Sequence, residues 1–193
     1  MDLIDSYLDE LENVIRNISR DQVRAVVDLL FEAWQSGRTI FLIGNGGSAA
    51  TASHMMNDLN KFTSVGDLPR VRSIALTDNV PLMTAVGNDL AYEDIFVEPL
   101  KNLLQPVDIL IAISTSGNSP NVVKAVEYSR SRGARVVGFC GQPGGKLAQL
   151  ADVKVIIPSR RIGQQEDGHM ILDHVISAAL RERITQVAPR PRA

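Results

Sequence analysis

The sequence has little cysteine, no excess of basic residues and no long apolar run, and each shortage excludes a class of protein. A single cysteine, Cys140, in 193 residues excludes an internal disulfide and fits a reducing cytoplasm. Lys and Arg total 20 against 22 Asp and Glu, a net charge of −2 that predicts no nucleic-acid partner. No apolar run approaches the ~20 residues that cross a bilayer, and the acidic start differs from a secretory signal. We therefore expect a cytoplasmic protein that binds no membrane.

The first 37 residues predict a helical hairpin. Apolar side chains recur every three to four positions over 3–18 and again over 23–34, which is typical of two amphipathic helices. Asp21 is the predicted N-cap of the second helix, and Gly37 follows its end. The apolar stripe needs a partner, which can be the protein's own sheet or a neighbouring subunit.

After residue 37 the pattern changes to short apolar runs separated by longer helical segments. Five runs lie at 39–43, 71–76, 108–113, 134–140 and 153–157. Continuous Val, Ile and Leu runs with helices between them indicate parallel strands buried on both faces. We predict one α/β domain, in which the hairpin (1–37) precedes a sheet flanked by helices (38–187). The last helix covers about 165–186, and a Pro/Arg tail (188–193) is predicted to be disordered.

Two polar loops follow predicted strands, at the sheet edge where such folds bind ligands. The first contains Gly44, Asn45, Gly46, Gly47 and Ser48, and the second contains Ser114, Thr115, Ser116, Gly117, Asn118 and Ser119. Each precedes a helix, and free backbone N–H groups and hydroxyls at a helix N-terminus favour a phosphate. Four hydroxyls around one glycine suit a phosphate monoester held without a metal, so we favour a phosphosugar over a nucleotide.

The first loop has two other interpretations, as a P-loop and as a dinucleotide-binding fingerprint. A P-loop is excluded because no Gly-Lys-Ser/Thr follows. A dinucleotide fingerprint is matched by Gly44, Gly46 and Ala49, but the acidic residue expected ~20 residues later is missing. Ordinary turn residues explain either loop alone, whereas two such loops on neighbouring strands favour phosphate binding.

Two helices carry titratable residues on their polar faces. On the helix after the first loop, His54 and Asp58 lie one turn apart, opposite a stripe of Ala52, Met55, Met56 and Leu59. On the last helix, Glu166 and His174 share a face with Met170, opposite a predicted core stripe of Ile171, Leu172, Val175, Ile176, Ala178 and Ala179. A solvated surface is the alternative for each pair. We expect His169 to be structural or to support a ligand.

The segments GNGGSAATASHMMNDL, LTDN…VGND, ISTSGNSPNVVKA and GGKLAQLADVKVIIPS resemble the SIS (sugar isomerase) domain family, above all its phosphoheptose isomerases. The resemblance covers nearly the whole chain, including the leading helices. It implies a five-stranded parallel sheet flanked by helices and a homotetramer with active sites between subunits. It also implies heptose biosynthesis, by conversion of sedoheptulose 7-phosphate to D-glycero-D-manno-heptose 7-phosphate through an enediol.

The resemblance further implies one zinc ion per active site. The family's two histidine ligands fall on His54 and His174, and its glutamate falls on the shorter Asp58. Its glutamine falls on Glu166 or, with a slip of one residue, on Gln165. A His/Asp/Glu/His set remains competent to bind zinc, although it is one charge more negative than the family pattern.

The resemblance and the loop chemistry together suggest roles for the site residues. Asp58 or Glu166 is the expected base and His174 the general acid, while zinc would polarise the carbonyl. The phosphate is expected at Ser114, Thr115, Ser116 and Ser119. The sugar is expected against Asn45, Gly46, Gly47, Ser48, Glu166, Asn88 and Asp89.

A second hypothesis is a binding function. Some SIS proteins have no enzymatic role and bind a replication initiator or another regulatory partner, and a fold alone does not exclude this. The acid–base set distinguishes the two hypotheses, because a protein that only binds a partner does not need His54, Asp58, Glu166 and His174 together.

Overall fold

The computed structural model describes residues 2–187, so the predicted disordered tail (188–193) lies outside the described residues. The strands are β1 (Thr39–Gly44), β2 (Arg72–Ala75), β3 (Ile109–Ser114), β4 (Arg135–Gly141) and β5 (Val153–Ile157). The helices are α1 (Leu3–Arg16), α2 (Arg20–Gln35), α3 (Gly47–Asn57), α4 (Val80–Asp89), α5 (Val97–Leu103), α6 (Pro120–Ser131), α7 (Gly145–Leu150) and α8 (Ile162–Val187). A π-helical turn (Asp58–Phe62) continues α3.

The five strands form one parallel sheet in the order β2-β1-β3-β4-β5. All five predicted strands are therefore confirmed, as is the α/β fold. Because β1 lies between β2 and β3, the chain leaves β1 towards one edge and later returns on its other side. Such a reversal opens a crevice at the carboxyl ends of the two central strands.

The core has two parts, one on each face of the sheet. Ile40 and Leu42 of β1 pack with α2, α3 and α8, whereas Phe41 and Ile43 pack with α5, α6 and α7. Strand β2 differs from the prediction of burial on both faces, since Ile74 is 40% exposed. It is an edge strand, and the described helices cover only one of its faces.

The hairpin forms as predicted, with one correction at its second helix. Ser19, rather than Asp21, is the N-cap of α2, and its side chain accepts the N–H of Gln22. Asp21 lies inside the first turn, where its carboxylate suits the helix dipole. Gly37 follows the C-cap with a φ of +64°, a left-handed conformation that glycine adopts without strain.

The buried face of α8 is rotated from the predicted stripe. Leu172 and Ile176 are buried as expected, but Val175 is 49% exposed, and the polar His169 and Asp173 are fully buried. The prediction that Ile171, Ala178 and Ala179 also lie in the core is wrong, because each is exposed or only partly buried. Helix α8 packs against α3 and β4 as well as α2, so a polar stripe is buried beside the apolar one.

His169 and Cys140 are buried neutral groups in the core. The His169 ring stacks on Phe139, with ring centroids 6.3 Å apart, and burial lowers the pKa of His169 to about 4. Burial likewise raises the pKa of the Cys140 thiol to about 12, and the fully buried side chain packs in the core. Among the helices of residues 2–187, none combines the length and apolar composition that spanning a bilayer requires.

Replacing His169 with Phe should weaken the pH dependence of stability. A histidine with a lowered folded-state pKa binds more protons when unfolded, so its contribution to stability falls as the pH drops below its unfolded pKa. Between about pH 7.5 and about pH 5.5, urea unfolding of the wild type should lose roughly 1 kcal/mol more than that of His169→Phe. An identical loss in both proteins at equal concentration would contradict a buried neutral His169.

Candidate active site

The loops after β1 and β3 meet in one crevice, as the sequence predicts. Gly44 pairs with Ile113 in the sheet, so both loops leave adjacent strands at the same level. Two hydrogen bonds between the side chains of Asn45 and Asn121 link them. The Nδ2 group of each residue donates to the Oδ1 atom of the other, at 2.9 Å in both cases. We call this space the β1–β3 crevice; it is lined by residues 45–48 and 114–119.

Glycines allow the first loop to turn sharply from β1 into α3. A Cβ atom on Gly44 would lie 2.6 Å from the carbonyl oxygen of Ser48, so no side chain fits there. Gly46, at the N-cap position of α3, has a φ of +55°. A Cβ atom on Gly47 would lie 2.4 Å from the Oε1 atom of Glu166, which shows that this carboxylate lies directly against the loop.

The second loop presents hydroxyls and amides at the start of α6. The Oγ atom of Ser114 accepts the N–H of Gly117 at 3.2 Å and lies 3.3 Å from the Oγ atom of Ser119. Ser119 is the N-cap residue of α6, yet its side chain makes no capping hydrogen bond to the helix. Its hydroxyl is therefore available to an anion, whereas the N–H of Val122 donates to the Oδ1 atom of Asn121 and the N–H of Val123 donates to the carbonyl of Ser119.

The loop between β4 and α7 holds the second loop in place. The N–H of Leu147 donates to the carbonyl of Gly117 at 2.9 Å, and the N–H of Gly141 donates to the carbonyl of Thr115 at 2.9 Å. Gly117 has a φ of +63°, and a Cβ atom there would lie 2.0 Å from the carbonyl oxygen of Gly144. The loop conformation thus requires glycine at position 117 on two independent grounds.

Four titratable side chains converge between α3 and α8, and we call them the His/Asp cluster: His54, Asp58, Asp173 and His174. One ligand atom of each lies within 4.8 Å of the ligand atoms of the others. The Nε2 atom of His54 is 3.3 Å from that of His174, 3.8 Å from the Oδ2 atom of Asp58 and 3.9 Å from the Oδ2 atom of Asp173. This set of imidazoles and carboxylates could hold a metal ion.

Asp173 was not singled out in the sequence, because it falls beside Leu172 on the face that packs into the protein. It is fully buried, and its Oδ1 atom accepts the hydroxyl of Ser177 at 3.2 Å. Burial, and then the charge of Asp58, raise the pKa of Asp173 to about 6, against an opposing effect of His54. The one signal available in the sequence was its spacing of four residues from both His169 and Ser177, which places three polar residues on one helix face.

Among the described residues, Glu166 is not a member of the His/Asp cluster. It precedes His174 by two helical turns, and its half-buried carboxylate lies against Gly47. Gln165, the alternative position for the family's glutamine, is buried and donates to the carbonyl of Ser159 at 2.8 Å. A Cβ atom on Gly141 would meet the Gln165 carboxamide, so this side chain faces β4 rather than the cluster.

The remaining predicted site residues lie at the surface. Asn88 and Asp89 end α4 as exposed residues, and the Asn88 side chain donates to that of Asp89 at 2.8 Å. Nearby, the Tyr92 hydroxyl donates to the Oδ1 atom of Asn45 at 3.1 Å, which connects this segment to the first loop. Tyr92 had no distinguishing signal in the sequence.

Comparisons with known sequences identify the family of the chain. The family model described as SIS domain matches residues 6–141. Phosphoheptose isomerase from Aneurinibacillus thermoaerophilus is 36% identical over 189 residues, which are 95% of this chain and 94% of that protein. Phosphoheptose isomerase from Mycobacterium tuberculosis is 39% identical over 157 residues, which are 81% and 80% of the two chains.

Solved structures show the same architecture. A phosphoheptose isomerase from Neisseria gonorrhoeae has a TM-score of 0.86 at 27% identity, covering 93% of this chain and 97% of its own. One from Francisella tularensis has a TM-score of 0.86 at 26% identity, covering 93% and 96%. With its five-stranded parallel sheet and its two polar loops, the chain belongs to the SIS domain family, in its group of phosphoheptose isomerase enzymes.

Proposed function

We propose that the protein is an aldose–ketose isomerase that converts sedoheptulose 7-phosphate to D-glycero-D-manno-heptose 7-phosphate. The observation that carries this proposal is the position of Glu166 against Gly47 of the first loop, beside the hydroxyl-rich second loop on the neighbouring strand. The relatives named phosphoheptose isomerase support the choice of sugar. Heptose biosynthesis in the cytoplasm is part of the same proposal.

The second loop binds the phosphate in this proposal. The Ser119 hydroxyl makes no capping hydrogen bond at the start of α6, so it can donate to a phosphate oxygen. Thr115 and Ser116 supply further hydroxyls, while buried Ser114 orients the loop through Gly117. Holding the phosphate fixes the reacting carbons at the other end of the sugar without touching them.

The first loop and α8 act on the sugar. Residues Asn45, Gly46, Gly47 and Ser48 line it, and Asn88 and Asp89 bind its hydroxyls, in the same subunit or in a neighbouring one. A carboxylate, Glu166 or Asp58, takes the proton next to the carbonyl and returns it to the former carbonyl carbon. His174 moves a proton between the two oxygens of the enediol.

Zinc is the metal we propose for the site. Imidazole and carboxylate ligands suit this ion, and the described structure supplies two of each in the His/Asp cluster. His54, Asp58 and His174 are the ligands also implied by the family resemblance. When bound, zinc would polarise the substrate carbonyl and stabilise developing negative charge on its oxygen.

A steady-state assay on sedoheptulose 7-phosphate tests this function. We expect turnover by the wild type and a loss of about a hundredfold or more in kcat for His174→Ala and for Glu166→Gln, because each removes a proton-transfer group. Glu182→Gln changes an exposed carboxylate on α8 and should retain full activity.

Full activity in both site variants would contradict the catalytic assignment. If the wild type fails on sedoheptulose 7-phosphate, a screen of ketose phosphates with five to seven carbons tests the reaction class. Failure on the whole series, with capture of a protein partner, would favour the binding hypothesis.

The phosphate grip predicts a specific kinetic change for Ser119→Ala. Loss of one hydrogen bond to a charged group should raise KM about tenfold. Ser131→Ala removes an exposed hydroxyl at the other end of α6 and serves as the control. An unchanged KM in Ser119→Ala would show that the phosphate binds elsewhere.

Exposed apolar side chains support a homotetramer. Helix α1 buries Val14 but leaves Leu3, Ile4 and Leu8 between 59% and 72% exposed. Polar contacts instead join α1 to α8: the Tyr7 hydroxyl donates to Asp167 at 2.6 Å, and Arg161 pairs with Glu10 at 2.7 Å. The apolar stripe of α1 therefore remains available to neighbouring subunits.

A groove of about 530 Å³ next to α1 extends this apolar surface. Its apolar lining comes from α1, α2, α8 and the turn between α1 and α2, and includes Ile15, Ile18, Val23, Val27, Ile171 and Val175. Half-exposed Val175 lies on the stripe that the sequence placed in the core. Burial of this surface in an assembly reconciles that pattern with the structure.

Leu8→Asp should reduce the oligomeric mass. Light scattering should give about four times the 21.0 kDa chain mass for the wild type and a smaller species for the variant. Because Leu8 is 59% exposed in the single chain, the substitution should leave the subunit folded. Asp9→Asn, at the adjacent exposed position, is the control; an unchanged mass for Leu8→Asp would place the interface elsewhere.

A further inference from the structure

We propose that Asp173 is the fourth ligand of the metal site, in place of Glu166, and that Glu166 is thereby left free as the proton-transfer base. The proposal rests on the proposed function for the role of Glu166. Asp173 and Glu166 both lie on α8, at different levels along the helix axis.

One buried carboxylate oxygen beside the histidines has no hydrogen-bond partner among the described residues. Asp173 is fully buried, and although its Oδ1 atom accepts the Ser177 hydroxyl, its Oδ2 atom has no hydrogen-bond partner among the described residues. A buried carboxylate oxygen without a partner is costly, because it has lost water and gained nothing. This oxygen is the one that lies 3.9 Å from the Nε2 atom of His54. A cation between these groups would supply the missing partner.

The four ligand atoms of the His/Asp cluster are spaced closely enough to surround one ion. Zinc binds nitrogen and oxygen ligands at about 2.0–2.1 Å in a tetrahedron, which places the ligand atoms roughly 3.3 Å from one another. Distances from the Nε2 atom of His54 to the other three ligand atoms run from 3.3 to 3.9 Å. Small side-chain adjustments would therefore close the cluster around one ion.

Helices α3 and α8 run in the same direction, and their register separates Glu166 from the histidines. Gly47 of α3 meets Glu166 of α8, and seven residues further along α3, His54 meets His174. Eight residues separate Glu166 from His174, which is about 12 Å along a helix axis. Glu166 thus lies at the level of the sugar-binding loop, while Asp173 lies at the level of the histidines.

The charges of the cluster also favour a cation. Asp58 and Asp173 bring two carboxylates close to two imidazoles, and the negative charges of the carboxylates repel each other. A divalent cation neutralises both. Glu166 needs no such partner, because its carboxylate is only half-buried beside the open crevice.

Direct metal binding tests the proposal without an activity assay. Zinc affinity, measured by competition with a chromogenic chelator, should fall at least about tenfold in Asp173→Asn and change less than about twofold in Glu166→Gln. With cobalt in place of zinc, the visible ligand-field bands should change in Asp173→Asn and remain unchanged in Glu166→Gln, since they report the ligand set.

Stability without metal separates a ligand from a merely structural acid. In the presence of EDTA, Asp173→Asn should unfold at the same temperature as the wild type or above it, because a buried charge without a partner has been removed. Zinc should then raise the unfolding temperature of Asp173→Asn less than that of the wild type. Ser177→Ala removes the hydrogen bond to Asp173 and should keep most of the zinc affinity.

Three results would overturn the proposal. One is an unchanged zinc affinity in Asp173→Asn with a large loss in Glu166→Gln. Another is an Asp173→Asn protein that is unfolded in EDTA, together with a Ser177→Ala protein that shows the same defect. The third is stoichiometric zinc binding with identical cobalt spectra in all variants. None of these measurements depends on isomerase turnover. An Asp173-dependent metal site could therefore be demonstrated even if the proposed reaction were disproved.

Discussion

The pairing of β1 with β3 is the constraint on which the rest of the site depends. Strands distant in the sequence become neighbours, and their carboxyl ends bring a glycine-rich loop and a hydroxyl-rich loop to one crevice. The same arrangement sets the start of α3 at this crevice. Packing of α8 along α3 then adds Glu166 near the loops and the His/Asp cluster further down.

Helix α8 buries a stripe of polar residues, which costs folding free energy compared with apolar packing. His169, Asp173 and Ser177 are buried where apolar residues would pack without any desolvation cost. The Ser177 hydroxyl donates to one of the two carboxylate oxygens of Asp173. The ring of the neutral His169 stacks on Phe139. The Oδ2 atom of Asp173, which faces His54, has no hydrogen-bond partner among the described residues, and neither ring nitrogen of His169 has one.

The outer surface carries exposed apolar side chains on α1 and at the sheet edge. Helix α1 is held to α8 by Tyr7, Glu10 and their partners, while most of its apolar side chains face outwards. Ile74 on the edge strand β2 is also 40% exposed. A periodic apolar pattern predicts that a face will be covered, and it leaves open whether the cover comes from the same chain or from another copy.

By itself, the sequence determined the hairpin, the five strands, both loops and the residues His54, Asp58 and His174. Each of these depends on local periodicity, on turn residues or on spacing within one helix. Tertiary structure alone decided the buried face of α8, the place of Asp173 beside the histidines, and the contact of Glu166 with Gly47. The physical reason is that these placements depend on how α8 packs against elements distant in the sequence, and a pattern along one helix carries no record of that packing.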